Sequence, residues 1–98
     1  MSAYIIVDVK IHNSRAYEEY KKLTPASIAA YNGTFIARGG ATEILEGDWD
    51  AGRIVIVEFP DVEKAKQWWN STEYASAKLI RQGAATTKMI LVEGVLTM

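Results

Sequence analysis

The chain has 98 residues, 49% of them hydrophobic and 23% charged, with a formal net charge of −1 and no cysteine. This composition predicts one ordinary globular domain over residues 1–98 and excludes disulfides, thiolate catalysis and cysteine-ligated metal sites. Without a concentrated basic surface, neither nucleic acid nor a membrane is an expected partner. The expected location is the cytoplasm, because no signal peptide or apolar run of transmembrane length is visible.

The first predicted elements are a strand and a helix. The strand covers residues 3–11, and Asn13 or Ser14 can cap the helix that follows. Pro25 lies within the helical apolar pattern and removes a backbone donor, so the pattern predicts either a kink or a restart of the helix. Residues 32–33, Asn-Gly, are typical of a helix end.

The rest of the chain predicts a further hairpin, two short helices and a last strand. The predicted segments are a strand at 34–38 that resumes at 41–46, a loop at 47–52, a strand at 53–59, helices capped by Asp61 and Ser71, and a strand at 87–95. The order β-α-β-β-α-β is that of the ferredoxin-like plait. This α+β fold has a four-stranded antiparallel sheet with its helices on one face.

The strands are apolar on both faces, which is unusual for a sheet covered on one side only. The helix-facing layer is predicted to contain Ile5, Val7, Val9, Val55, Val57 and Phe59. The open face is predicted to contain Tyr4, Ile6, Asp8, Ile54, Ile56 and Glu58, with Met89, Leu91 and Glu93 of the last strand. Each aliphatic group left in water forfeits about 1.5–3 kcal/mol of burial. The pattern therefore predicts a homodimer through the open sheet face, and the alternative is a monomer with an unusually apolar sheet.

Short segments along nearly the whole chain form an ordered set: residues 31–40, 46–49, 57–60, 65–68, 71–74 and 92–94, together with Arg81. Together they resemble the uncharacterised bacterial "domain of unknown function 1330" family of the dimeric α+β-barrel superfamily. The resemblance implies a ferredoxin-like subunit and a face-to-face dimer, but no established activity. Asn32 stands where a first glycine is common in that family, and Asp61 stands where serine is common.

A strand arginine followed by two glycines is the first candidate for ligand binding. Arg38 can present its guanidinium to a carboxylate beside bare backbone, and aromatic side chains can wall the same pocket. The ligand-binding candidates are Arg38, Gly39, Gly40, Trp49, Trp68 and Tyr74. The alternatives are an ion pair from Arg38 to an acid and core packing of the aromatic residues. Arg81, late in a helix, is expected to be structural.

The catalytic candidates are Glu58, Asp8 and His12. Asp8, Glu58 and Glu93 could form a cluster on an apolar floor, which would raise carboxyl pKa values and suit acid–base chemistry. His12 could act as a base or a haem ligand. The alternatives are solvated strand-end acids and a solvated loop histidine. No ligand spacing predicts a metal site, and no cofactor is predicted.

The first hypothesis is a small homodimeric protein that binds a small organic molecule between sheet and helices, with Arg38 orienting the ligand and Glu58 or Asp8 as base. By fold analogy, an enzyme of this kind would be a cofactor-independent monooxygenase or isomerase. The other hypothesis is a non-enzymatic ligand-binding or assembly module. The sequence does not choose between them.

Overall fold

A four-stranded antiparallel sheet forms one layer of the molecule, and three helices cover one of its faces. The computed structural model describes residues 1–95. The elements are β1 (Ala3–Ile11), α1 (Ser14–Ala29), β2 (Thr34–Arg38), β3 (Arg53–Phe59), α2 (Val62–Trp69), α3 (Thr72–Ala84) and β4 (Ala85–Glu93). The strand order is β2-β3-β1-β4, so the predicted plait is confirmed.

Side-chain caps start all three helices. Oxygens of Asn13, Asp61 and Ser71 accept backbone N–H groups of the first helical turns at 3.1, 2.8 and 3.1 Å. Each cap satisfies a donor that would otherwise have no partner, which is worth about 1 kcal/mol. The capping residues were readable from the sequence because their chemistry is local.

Helix α1 continues through Pro25, so the predicted restart is wrong. Proline lacks the N–H that would bond to the carbonyl of Lys21, four residues earlier. Nη2 of Arg38, on β2, donates to that carbonyl instead at 3.0 Å. The hydroxyl of Thr24 also bonds back to the Tyr20 carbonyl at 2.7 Å. The Arg38 donor therefore satisfies the carbonyl that Pro25 leaves without its helical partner.

The second strand ends at Arg38, and its predicted continuation at residues 41–46 is wrong. Gly39 has a φ of +73°, which turns the chain out of the sheet just after its N–H bonds to the Ile54 carbonyl at 2.8 Å. The following residues, 40–50, are exposed and form no strand or helix.

Beyond α3, the chain passes directly into β4 at Ala85, two residues earlier than predicted.

The side chains of β1 and β3 alternate between the two faces as predicted. The helix-facing members form the core, with Trp68 and Tyr74 among its largest fully buried side chains. The prediction for the last strand is wrong, because the register pairs Met89 with Val7 and so places it on the helix side. Ile90 and Val92 lie on the open face instead and are 62% and 42% exposed. When both faces of a strand are apolar, the sequence alone does not show which alternate residues face the helices.

The open face is a contiguous apolar surface on the side of the sheet that carries no helix within residues 1–95. It consists of Tyr4, Ile6, Ile54, Ile56, Ile90 and Val92, with charged residues at its two ends. The molecule is a slab, 41 by 38 Å across and 17 Å thick. None of the helices within residues 1–95 combines the length and the apolar character that crossing a bilayer requires.

Candidate functional site

The candidate site is a small cavity between α1, α3 and the helix-facing side of the sheet. Its floor is formed by aliphatic side chains of β1 and β3, among them Ile5, Val7, Val55 and Val57. Trp68 closes one side. The cavity volume is about 30 Å³, room for roughly two water molecules.

Four basic side chains line this cavity, and no acidic side chain or histidine does. They are Lys21, Arg38, Arg53 and Arg81. The three ion pairs found within residues 1–95 include none of the three arginines, whereas Lys21 pairs with Glu18 at 2.9 Å. An apolar cavity lined by three arginines that form no ion pair within residues 1–95 is chemically suited to negative charge.

Arg81 is the most deeply buried of these basic residues, with 4% of its surface exposed. Its Nε donates to the hydroxyl of Tyr74 at 3.2 Å, and that hydroxyl shares a 2.8 Å hydrogen bond with Tyr20. Burial of an ion without a counter-ion costs several kcal/mol, and the negative end of α3 offsets only part of that cost. The sequence suggested a structural role for Arg81, because helix position was visible and burial was not.

Arg53 lies at the start of β3 and reaches into the same cavity. Its Nη1 donates to the hydroxyl of Tyr17 at 2.9 Å, and the guanidinium lies 5.5 Å from the centre of that ring. Burial raises the pKa of Tyr17, although the positive charge of Arg53 opposes the shift, so the phenol is neutral at physiological pH. A Cβ on Gly39 would lie 2.6 Å from Nε of Arg53. The missing side chain of Gly39 therefore makes room for Arg53, and not for a ligand of Arg38 as the sequence suggested.

Arg38 lies at the mouth of the cavity. The register between β2 and β3 shifts between Phe35 and Ala37, and this bulge turns Arg38 to the same side as Phe35. The guanidinium stacks over the Phe35 ring at 4.4 Å and bonds to the Lys21 carbonyl. The ion pair considered as its alternative role is not formed within residues 1–95. Simple strand alternation would have placed Arg38 and Phe35 on opposite faces.

The other predicted ligand-binding residues are dispersed. Trp68 lines the cavity and donates from Nε1 to the Ser27 hydroxyl at 3.1 Å. Tyr74 lies behind the cavity wall, where its ring stacks 4.0 Å from that of Trp68 and its hydroxyl holds Arg81. Gly40 is exposed with open space around it, and Trp49 lies in the exposed loop after β2.

The candidate cluster of carboxylates does not form, and the alternative of separate acids near the strand ends agrees with the structure. In the register between β1 and β3, Glu58 lies opposite Tyr4 and Asp8 lies opposite Ile54. The two acids are therefore at opposite ends of the open face. Four residue steps along β1 separate these positions, about 13 Å. Glu93 pairs with Ala3, on the helix-facing side. Asp8 and Glu58 both lie on the face opposite the cavity, because the strands alternate.

Asp8 instead anchors the loop between β2 and β3. Its carboxylate accepts Nε1 of Trp49 at 2.9 Å and the N–H of Gly52 at 2.8 Å. These two hydrogen bonds hold the pKa of Asp8 below its ordinary value of 3.8. Asp8 is therefore a structural acid, and its two donors are 41 and 44 residues away in sequence.

His12 is exposed between β1 and α1 and does not line the cavity. Its backbone N–H bonds to the Ala84 carbonyl at 3.0 Å, which ties the turn to the end of α3. Within the described part of the chain, no three histidine or acidic side chains converge as metal ligands. The catalytic candidates therefore share no site with the basic cavity.

A second, apolar groove of about 200 Å³ lies between α2 and β4. Trp69, Met89 and Leu91 line it, with Lys66 at its edge. Trp68 and Trp69 are consecutive residues of α2, and consecutive helical residues point in different directions, so the two side chains cannot both enter the same core. Trp68 is buried, and Trp69 turns towards this groove.

The fold and the cavity define the molecule as a ferredoxin-like α+β protein with a basic pocket under its helices. The family model "Domain of unknown function (DUF1330)" matches residues 2–95, and the chain therefore belongs to that family. The resemblance read from the ordered segments is confirmed. No curated protein matches the sequence.

Solved structures share the fold at low sequence identity. A protein of unknown function from Rhodopseudomonas palustris is 18% identical with a TM-score of 0.78, covering 98% of this chain and 84% of that one. SnoaB, a cofactor-independent oxygenase from Streptomyces nogalater, is 16% identical with a TM-score of 0.70, covering 99% and 96%. A dimeric protein of unknown function and ferredoxin-like fold from Bacteroides fragilis is 15% identical with a TM-score of 0.63, covering 95% and 96%.

Proposed function

We propose that this protein is a homodimer, paired through its open sheet face, and that each subunit binds a small organic molecule in the cavity beneath α1. The observation that carries the ligand-binding proposal is the lining of the cavity, which combines an aliphatic floor with four basic side chains and no acidic one. A few charged groups around an apolar concavity are typical of small-molecule sites.

The dimer is supported by the open face. Isoleucine and valine side chains from β1, β3 and β4 form a contiguous surface there, and Ile90 is more than half exposed. Surfaces of this kind on small proteins usually mark an interface. A structure with the same fold is described as dimeric, which is consistent with pairing here.

Ligand entry requires the cavity to widen, because about 30 Å³ is smaller than an organic molecule. Arg38 is the exposed member of the lining, and it contacts the Phe35 ring and the Lys21 carbonyl, so we place the mouth at these three residues. Lys21 and Phe35 are half-buried, and Arg38 is exposed. We infer that rearrangement of these three side chains opens the cavity, with Arg38 meeting the ligand first.

Binding without catalysis accords better with the site than does the alternative of a cofactor-independent monooxygenase or isomerase. Such chemistry needs a base beside the substrate, and the cavity lining offers two tyrosines and a lysine for this role but no carboxylate or imidazole. The candidate bases Asp8 and Glu58 lie on the open face, where we place them at the ends of the dimer interface. The oxygenase alternative is supported only by the shared fold with SnoaB.

Native mass spectrometry of the protein purified without a tag tests both parts of the proposal. The expected species is twice the 10.9 kDa subunit mass, with additional mass from any retained molecule. Thermal unfolding in the presence of small organic compounds then identifies binders, since a ligand specific for the folded state raises the midpoint temperature. A monomer at micromolar concentration would refute the dimer, and no thermal shift with any compound class would refute the pocket.

A further inference from the structure

We propose that the ligand is a compact organic acid, and that Arg81 and Arg53 hold its carboxylate inside the cavity. This inference rests on the proposed small-molecule pocket and adds the chemical class of the ligand. It is argued from three features: the buried charge on α3, the convergence of donors from three elements, and the aliphatic floor.

Arg81 carries the argument. It is 96% removed from solvent and lines the cavity, and only its Nε has a hydrogen-bond partner within residues 1–95. The Nη1 and Nη2 groups are the fork that binds a carboxylate through two parallel hydrogen bonds. Arginine cannot lose its proton in a protein, so a negative group beside the buried guanidinium would offset part of its desolvation cost. No side chain lining the cavity provides one.

Arg53 and Tyr17 supply further donors from β3 and α1. Arg53 donates one Nη1 hydrogen bond to the Tyr17 hydroxyl. That hydroxyl accepts the bond and has no acceptor for its own proton within residues 1–95, so it can also donate. Gly39 holds the arginine in place, because its lack of a side chain admits Nε close to the backbone. Donors from three elements therefore line one cavity whose charge is uniformly positive.

The floor distinguishes an organic acid from an inorganic anion. Aliphatic side chains from β1 and β3 form it, and Met89 of β4 lies beside them. An inorganic anion would gain nothing from this surface, whereas a short hydrocarbon chain would be removed from water. The small volume of the closed cavity indicates a compact hydrocarbon body. Butyrate is therefore a suitable probe, with butyramide as its neutral isostere and inorganic phosphate as the anion without a hydrocarbon body.

The experiment follows the arginine Nε–H resonances by NMR while each probe is added to the full-length protein. Saturable movement of the Arg81 resonance with butyrate, and little movement with butyramide or phosphate, is the expected result. Arg81→Met should weaken butyrate binding roughly tenfold to a hundredfold, the effect of losing a charge-assisted hydrogen bond. Arg15→Met, which alters an exposed arginine on α1, should leave binding unchanged.

The other outcomes separate this inference from the pocket on which it rests. Equal binding of butyramide and butyrate would overturn the acid and leave the pocket standing. Equal binding of phosphate would overturn the requirement for a hydrocarbon body. If no probe moves any resonance of the cavity lining, both the acid and the pocket fall. The wild-type titration decides these outcomes even if the Arg81→Met protein does not fold.

Discussion

At the scale of single residues, the positive φ of Gly39 connects the end of β2 to the position of Arg53. The backbone turns where a side chain would be strained, and the space left beside the glycine holds the guanidinium. Gly40 has neither feature, since a Cβ added there would extend into open space. The two consecutive glycines therefore differ in their structural requirement, although the sequence presents them as a pair.

Substitution of the two glycines tests this difference. Gly39→Ala should lower the free energy of unfolding by about 1–3 kcal/mol, because a side chain there meets both backbone strain and Arg53. Gly40→Ala is the matched control and should change it by less than about 1 kcal/mol. Urea denaturation measures both. Equal losses in the two variants would contradict the assignment.

The carboxylate of Asp8 makes the loop between β2 and β3 sensitive to acid. Hydrogen bonds from Trp49 and Gly52 lower its pKa in the folded protein, so its contribution to stability is complete above the ordinary value of 3.8. That contribution is lost as the pH falls through the lowered pKa of the folded state. We expect the fluorescence of Trp49, taken as the difference between wild type and Trp49→Phe, to change only below a pH of about 3.8.

A control at neutral pH separates loop release from general acid unfolding. Asp8→Asn removes the carboxylate without acid and should reproduce the low-pH signal of Trp49 at pH 7. Lys10 and Asp50 form an exposed ion pair at 2.8 Å near the same loop. Asp50→Asn should have little effect, because exposed pairs contribute little. An unchanged Trp49 signal in Asp8→Asn would show that the loop is held by other contacts.

At the scale of elements, α1 and β2 are joined by a side chain that replaces a missing backbone donor. Pro25 leaves the Lys21 carbonyl without its helical partner, and Arg38 donates to it from the neighbouring strand. Each residue was visible in the sequence, but the pairing was not, because a bulge in β2 sets the side to which Arg38 points.

A double-mutant cycle tests this link. Arg38→Met should lower the free energy of unfolding by about 1 kcal/mol through loss of the hydrogen bond to the Lys21 carbonyl. In a Pro25→Ala background the loss should be smaller, because the backbone N–H restored at position 25 bonds to the same carbonyl. Arg15→Met serves as the exposed control. The same loss in both backgrounds would show that Arg38 acts elsewhere.

The predictable parts of the structure were those with local causes. Helix caps follow from one side chain and the next turn, and the faces of β1 and β3 follow from strict alternation. The orientation of β4, the end of β2 and the charge in the cavity depend on register, a bulge and long-range burial. Arg81 illustrates the limit, because its place near a helix end was readable, whereas the absence of a nearby acid was not.

At the scale of the whole molecule, the slab shape agrees with the proposed pairing. The molecule is 17 Å thick, and doubling this thickness gives roughly its other two dimensions, 41 and 38 Å. A dimer of two subunits stacked face to face would thus have nearly equal dimensions in all three directions. Stacking would also remove the isoleucines of the open face from water, which favours association.

Ile90→Lys tests where the subunits meet. A lysine at this position would place an unpaired charge within the proposed interface and should raise the dimer dissociation constant roughly 100-fold or more. Leu79→Lys is the matched control, since Leu79 is 71% exposed on the opposite, helical side. Sedimentation equilibrium measures both. A dimer unaffected by Ile90→Lys but weakened by Leu79→Lys would place the contact on the helices.

Neighbouring residues of the same strand serve different surfaces in this fold. On β1, Ile5 and Val7 belong to the cavity floor, while Ile6 between them belongs to the open face. A substitution at one position therefore leaves the other surface chemically intact. If both proposals hold, related chains can change the proposed ligand without changing the proposed pairing, or the reverse, through substitutions one residue apart.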